Sequence, residues 1–304
     1  MILMPDTTAT SIDAKKLSKG AVRCFFATIE QRGTVAASLP DDNESFDGDG
    51  VGLTLGSELR GLYLYKAFPS FQTDTTLYYP YGGMLIEDRY TKRHQSLIKN
   101  LIYELKADSK AQIIVSLDQE PMHQSDGIVE HEAFWFALGF APLDVQVHYR
   151  GAIKHYDTLD KSDFSVSKYK GDCAATNAQL CDLYREAYKR RTGIPSVTPE
   201  SIAKQLSIAS CSYLIMHRCD ELIGQVTLFM SQSECYVDSI YVKRSHWGTG
   251  AADKLTQSLF NYAKLNRCET VSGTAASNNR ASRSLMERFG LVAQHQVKRM
   301  VFNV

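Results

Sequence analysis

From residue 174 onward the apolar and polar positions fall into a readable order. Leu180, Leu183, Ala187 and Tyr188 recur at helical spacing, which predicts a helix over 174–190. Apolar runs at 212–217 and 222–230, separated by Arg218-Cys-Asp-Glu221, predict two strands joined by a tight turn. A third strand is predicted over 235–242. Ala252, Leu255, Leu259, Tyr262 and Ala263 share one side of a helix predicted over 249–266. A strand over 269–273, a helix over 279–289 and a closing strand over 292–302 complete the pattern. Strands first, then strand–helix–strand–helix–strand, imply an α/β fold with a mixed (α+β-like) sheet and a parallel crossover at its centre.

The first half repeats the second in outline. A strand over 83–87, a helix over 93–105, a strand over 111–116, a short helix over 129–138 and a strand over 145–150 follow the same order. Gly139-Phe140 stands where Gly290-Leu291 stands in the second half. Between the halves, 154–172 is dense in charge and loses apolar periodicity, so the chain divides into domains at 1–155 and 156–304. The acidic, turn-rich stretch 39–50 reads as an exposed loop; its carboxylates lack the ligand spacing of a calcium loop.

Charge sharpens this picture mainly by exclusion. Lys plus Arg and Asp plus Glu are 34 each, so no global field favours nucleic acid or an anionic membrane. The apolar start breaks at Pro5, against a signal peptide, and no apolar run is long enough to span a membrane. Seven cysteines, odd in number and without a C-x-x-C pair, predict reduced thiols in a cytoplasmic protein without a metal site.

The candidate chemistry lies in Val237-Asp-Ser-Ile-Tyr-Val-Lys-Arg-Ser-His-Trp-Gly-Thr-Gly-Ala251. A strand ends near Val242, a loop with two spaced glycines follows, and a helix begins. Gly248 and Gly250 let backbone N–H groups approach a ligand, and the helix start adds donors and partial positive charge. Lys243, Arg244 and His246 stand nearby. Such a turn suits a pyrophosphate.

Ser245-His246-Trp247-Gly248-Thr249-Gly250 resembles the acetyl-CoA loop of the Gcn5-related N-acetyltransferase (GNAT) superfamily, usually R/Q-x-x-G-x-G/A after a strand ending in valine. Ser245 replaces the usual Arg or Gln, with Arg244 one residue early. Downstream, Asn279-Arg-Ala-Ser-Arg-Ser-Leu-Met-Glu-Arg-Phe-Gly290 is similar to the family's N-x-x-A-x-x-L-Y followed by Gly-Phe, with Met286 where a tyrosine often acts in catalysis. The resemblance implies a tandem GNAT-like fold whose first half is degenerate. It implies acetyl-CoA as co-substrate and an amine attacking the thioester directly.

On that resemblance, backbone groups of Ile240, Tyr241 and Val242 hold the pantetheine arm. Ser245, His246, Trp247, Gly248, Thr249, Gly250 and Ala251 form the pyrophosphate loop. Asn279 and Met286 border the arm. An alkylammonium with a pKa of about 10 must lose a proton before attack. Asp238 is the first candidate base and Glu234 the second; Tyr241, Tyr236 and Tyr262 are candidate proton donors. Strict alternation would put Val237, Ser239 and Tyr241 on one face of the strand and Asp238, Ile240 and Val242 on the other.

The first half has no glycines at the corresponding stretch, 86–94, so a second CoA site is not expected there. Its aromatic residues at 68–71 and 77–81 either line an acceptor pocket or pack in core and turn. Tyr184, Lys189, Arg190 and Arg191 lie on or just after the first helix of the second half, where the resemblance implies contact with acceptors. The leading reading is transfer to a small-molecule amine, an aminosugar or sugar nucleotide, by a monomer or homodimer with no nucleic-acid or membrane partner. A tandem aminoacyl or peptidyl transferase using charged tRNA, or a non-catalytic acyl-CoA-binding module, are the alternatives.

Overall fold

A computed structural model describes residues 50–55, 58–84, 91–106, 110–119, 132–154, 156, 163–189 and 191–304. Expectations for 1–49, including most of the acidic stretch, lie outside these residues, as do 85–90 and Arg190. Among the described residues no helix is long and apolar enough to cross a membrane.

The elements run β1 (Gly50–Leu55), β2 (Glu58–Pro69), β3 (Thr76–Met84), α1 (Lys92–Leu105), β4 (Ala111–Gln119), β5 (Ala141–Ala152), β6 (Phe164–Tyr169), α2 (Ala174–Tyr188) and α3 (Pro199–Leu206). They continue with β7 (Cys211–Arg218), β8 (Glu221–Ser231), β9 (Glu234–Val242), α4 (Ala251–Leu265), β10 (Thr270–Ala276), α5 (Arg280–Arg288) and β11 (Val292–Asn303). They cluster in two compact units. Among the described residues, one gathers those up to Val115, those over 132–142 and Met300–Val304; the other gathers 116–119 and those within Leu143–Arg299.

In the first unit β1, β2 and β3 form an antiparallel meander and β4 joins β3 in parallel, Thr76 opposite Ala111. Helix α1 makes the crossover. Leu97, Ile98, Leu101 and Leu105 are buried along one stripe because they recur every three or four residues. Leu77 is core, while Phe68 and Tyr79 meet edge to face within the hairpin at 5.8 Å. Val304 N–H donates to the Ala111 carbonyl, so the end of the chain closes this unit.

In the second unit the strand order is β11-β5-β10-β9-β8-β7-β6. Strands β6 to β9 run antiparallel, β10 joins β9 in parallel, and β5 pairs antiparallel with β10. On one face Leu255, Leu259 and Phe260 of α4 bury with Val226, Leu228 and Val271. On the other, Leu180 and Leu183 of α2 and Ile202 of α3 bury with Tyr213, Ile215 and Leu222.

The expected division at 155 and 156 leaves β5 in the first half of the sequence, whereas its residues from Leu143 cluster with the second unit. The repeat has a matching backbone detail. Gly139 and Gly290 both adopt left-handed φ, +89° and +80°, where a helix hands over to a closing strand. In the first half β1 and β2 were not expected, and in the second half two further elements were not. The polar stretch 154–172 contains β6, an edge strand with Phe164 and Val166 on the α4 core. Helix α3 begins with Pro199 behind a Thr198–Ser201 capping box.

Candidate functional site

A cleft of about 690 Å³ opens in the second unit between β9, β10, α2, α5 and the loop before α4. Its origin is a pairing that stops. Strands β9 and β10 are matched from Glu234 opposite Thr270 only as far as Val237 opposite Gly273. Past that point the strands part, and the edge of β9 from Asp238 onward faces the gap with main-chain groups that β10 does not bond.

The parting coincides with a β-bulge. The β8–β9 register passes from Thr227 opposite Ser239 to Leu228 opposite Val237, leaving Asp238 as the extra residue. Strict alternation is therefore overturned. Val237 packs in the α4 core together with Ile240 and Val242. Tyr241 turns to the α2 side and donates its hydroxyl hydrogen to Ser239 Oγ at 3.1 Å. Burial lifts the Tyr241 phenol well above its ordinary value, so it stays neutral.

Asp238 lines the cleft with solvent-accessible surface. It still lies deep enough among protein atoms that desolvation raises its carboxyl above the ordinary carboxylate value. Desolvation likewise pushes Tyr188, at the end of α2, up to about 12; Arg191, Asp238, Tyr236 and Arg299 are the charges and phenol its hydroxyl feels. Glu234 sits at the far end of β9, outside the cleft lining, and pairs with Arg150 at 3.3 Å. Tyr262 points elsewhere, its hydroxyl 3.1 Å from Ser212 Oγ.

At the other end of the cleft, Gly248 and Gly250 adopt φ of +77° and +85°, and a Cβ on either would meet open space. Gly250 is the N-cap of α4, with no side chain capping the first turn. The early N–H groups of α4 therefore face the cleft mouth as donors. His246 is buried beside them with no partner on Nδ1. Thr249 is folded back, its hydroxyl donating to the His246 carbonyl at 2.8 Å. Trp247 is 63% exposed; its indole Nε1 donates to the Val242 carbonyl at 2.9 Å and Arg244 lies over its ring. The arrangement can take a doubly anionic group at the α4 start and an extended, amide-bearing arm along β9.

Asn279 and Met286 line the opposite wall. Asn279 caps α5, accepting from Ser282 N–H at 3.2 Å and donating to Ser282 Oγ at 2.8 Å. Met286 packs against the core; a Cβ at Gly273 would lie 3.1 Å from the Val237 carbonyl oxygen and 3.4 Å from the Met286 Cε, so the strand carries glycine beside it. Helix α5 is held by Tyr149 of β5, whose hydroxyl receives Arg283 Nε at 3.1 Å and donates to Glu287 at 3.2 Å.

Residues 177–291 match the model of the acetyltransferase (GNAT) family. This region is a GNAT domain. The whole chain shares its fold with a tandem GNAT protein from the clavulanic acid biosynthesis pathway, at a TM-score of 0.65 and 12% identity, covering 93% of this chain and 94% of that one. A GCN5-related N-acetyltransferase from Sphaerobacter thermophilus matches with a TM-score of 0.65 and 14% identity over 93% and 91% of the two chains. A glucosamine N-acetyltransferase region of a fungal multi-domain GH3 β-N-acetylglucosaminidase matches at 0.63 and 8% identity, covering 84% of this chain and 33% of that one. No curated protein matches the chain. The fold is thus a tandem GNAT fold with a mixed sheet, and the GNAT domain contains the cleft. Sequence reasoning passed over Tyr188 and Thr274 in its wall, and Asp144 and Arg299 close by, because ordinary helix and strand patterns contain such residues anywhere.

Proposed function

We propose that this protein transfers an acyl group from acetyl-CoA, or a related acyl-CoA, to the primary amine of a small molecule. The parting of β9 from β10 beside the uncapped start of α4 is the observation that carries this reading. A strand edge can pair with the amides of an extended arm as an added strand would, and the α4 turn suits a pyrophosphate. Residues 156–304 supply this site, and 1–155 serve as a degenerate repeat.

Acetyl-CoA supplies the activated acyl carbon. Asp238 accepts the proton of the incoming ammonium, directly or through water. Desolvation favours that role, since a carboxyl with a raised pKa is a stronger base toward an amine. Tyr188 and Tyr241, kept neutral by burial, are phenols able to donate where Met286 cannot; of the two, Tyr188 lies nearer Asp238's influence. An aminosugar or its nucleotide is the acceptor class favoured by the fold it shares with a glucosamine N-acetyltransferase region.

The test is calorimetric titration with acetyl-CoA and coenzyme A, followed by thiol release across a panel of amines. Tight binding with amine-dependent thiol release supports the reading. Absence of binding overturns it, and binding without turnover of any amine reduces the protein to an acyl-CoA-binding module.

A further inference from the structure

Beside the cleft, two arginines converge on one carboxylate. Asp144 on β5 receives Arg299 of β11 through two bonds, Nε to Oδ1 and Nη2 to Oδ2, each 2.6 Å. That fork already neutralises the carboxylate. Yet Gln146 Nε2 adds a third donor at 2.9 Å, and Arg191 Nη2 a fourth, also at 2.9 Å. The three charged side chains are largely out of solvent, 18% exposed for Asp144, 13% for Arg299 and 28% for Arg191. Asp144 thus holds two guanidiniums in ground where water screens poorly, and Arg191 is the second to reach it.

Arg191 is the member that lines the cleft, and the loop holds it there. Its N–H donates to the Tyr188 carbonyl at 2.9 Å, and its guanidinium lies 5.7 Å from the Tyr188 ring centre. Tyr188 feels both this cation and Asp238. A guanidinium has five N–H donors in a planar fork, and Asp144 engages Arg191 through Nη2 alone.

Resting on the N-acyltransferase reading, we infer that Arg191 marks an oxyanion subsite, and that the acceptor is an amine bearing a carboxylate or phosphate within reach of its amino group. The amine then lies at Asp238 and the oxyanion on the Arg191 fork, with Arg299 and Asp144 positioning that fork. A purely structural clamp would need only Arg299, since it satisfies both oxygens of Asp144 by itself.

Matched probes test this: β-alanine against β-alaninamide, and glucosamine 6-phosphate against glucosamine, each with saturating acetyl-CoA. The anionic member of at least one pair is expected to be preferred by about tenfold or more, the scale of a charge-assisted hydrogen bond. Arg191→Met should erase that preference with the acetyl-CoA KM unchanged, and Arg191→Lys, which keeps charge but loses the fork, should retain part of it. Preference for the neutral members, or a preference that survives Arg191→Met, overturns the inference. Which pair responds separates carboxylate from phosphate.

A second measurement does not depend on turnover. With coenzyme A saturating the pyrophosphate loop, acetate or inorganic phosphate should raise the Tm of the wild type, raise that of Arg191→Lys by less, and leave that of Arg191→Met unchanged. No rise in the wild type, or an equal rise in the variants, overturns the subsite. Failure of coenzyme A itself to raise the Tm counts against the N-acyltransferase reading instead.

Discussion

Val237 and Ile240 stand three residues apart on one strand, yet both pack into the core beneath α4. The bulge at Asp238 makes this possible, turning the strand over between them. It also ends pairing with β10 and delivers the Asp238 carboxyl to the cleft. Asp238→Asn should lower kcat and kcat/KM together by about 10²- to 10⁴-fold, the range for loss of a general base, with acetyl-CoA binding little changed. Because a base works deprotonated, wild-type kcat/KM should rise with pH through a midpoint above the ordinary carboxylate value, and that limb should vanish in the variant. Steady-state rates across pH decide it.

The same carboxyl bears on stability. A folded pKa raised above the unfolded one means stability that is complete below the unfolded pKa and declines as pH rises through the folded pKa. Asp238→Asn should therefore melt at a higher temperature than the wild type at pH 7, with the gap closing below the unfolded carboxyl's pKa. Thermal melts at the two ends of this range check the sign.

The glycine turn predicts a split between binding and folding. A Cβ at 248 or 250 meets no atom within 4 Å, so the main folding cost of Gly250→Val lies in the left-handed backbone, about 1–2 kcal/mol. Binding should suffer more visibly, because a side chain would fill the space through which the backbone reaches its ligand. The acetyl-CoA Kd should rise at least about tenfold, or roughly 1.4 kcal/mol. Calorimetry, with circular dichroism to confirm the fold, separates the two effects.

Trp247 offers an optical reporter. Of the two tryptophans it is exposed, whereas Trp135 is buried. Its indole sits on the Val242 carbonyl, on the strand proposed to pair with the pantetheine arm. Coenzyme A should shift the emission and reduce acrylamide quenching, and Trp247→Phe should abolish both responses. Unchanged fluorescence in a protein that binds coenzyme A would argue against the arm lying along β9.

Asp144 should matter for stability out of proportion to its place on a strand. Asp144→Ala leaves Arg299, 13% exposed, without its carboxylate, and removing one partner of such a pair costs about 3 kcal/mol. Burial opposes ionisation of Asp144, but Arg299 and Arg191 outweigh it and hold the carboxyl below its ordinary value. This contribution is complete above the unfolded carboxyl pKa and is lost as pH falls through the lower folded one. Denaturant melts of wild type and variant should therefore converge in acid.

The second half was readable because its signals are local. Apolar spacing and the glycines placed β7 to β11, α4 and α5 to within a few residues, and the motif around Gly248 and Gly250 fell on the cleft mouth. What alternation could not reveal was the bulge, since nothing in Val237-Asp-Ser-Ile marks one residue as extra. Strand β6 was missed because a short edge strand buries only Phe164, Val166 and Tyr169 among charges. Helix α3 had a legible start in Thr198-Pro199-Glu200-Ser201 that was passed over. The Asp144–Arg299 pair joins residues far apart in sequence, and no spacing rule links them.

Tyr149, 1% exposed, belongs to the first half of the sequence, yet it pins α5, which forms a wall of the cleft. The final residues of the second half in turn close the first unit against Ala111. Leu143–Ala152 of the first half cluster with the second unit, and Met300–Val304 of the second half with the first. Neither half can be discarded by a cut at the midpoint of the gene without tearing the other. Each unit therefore needs residues that the other half of the sequence encodes.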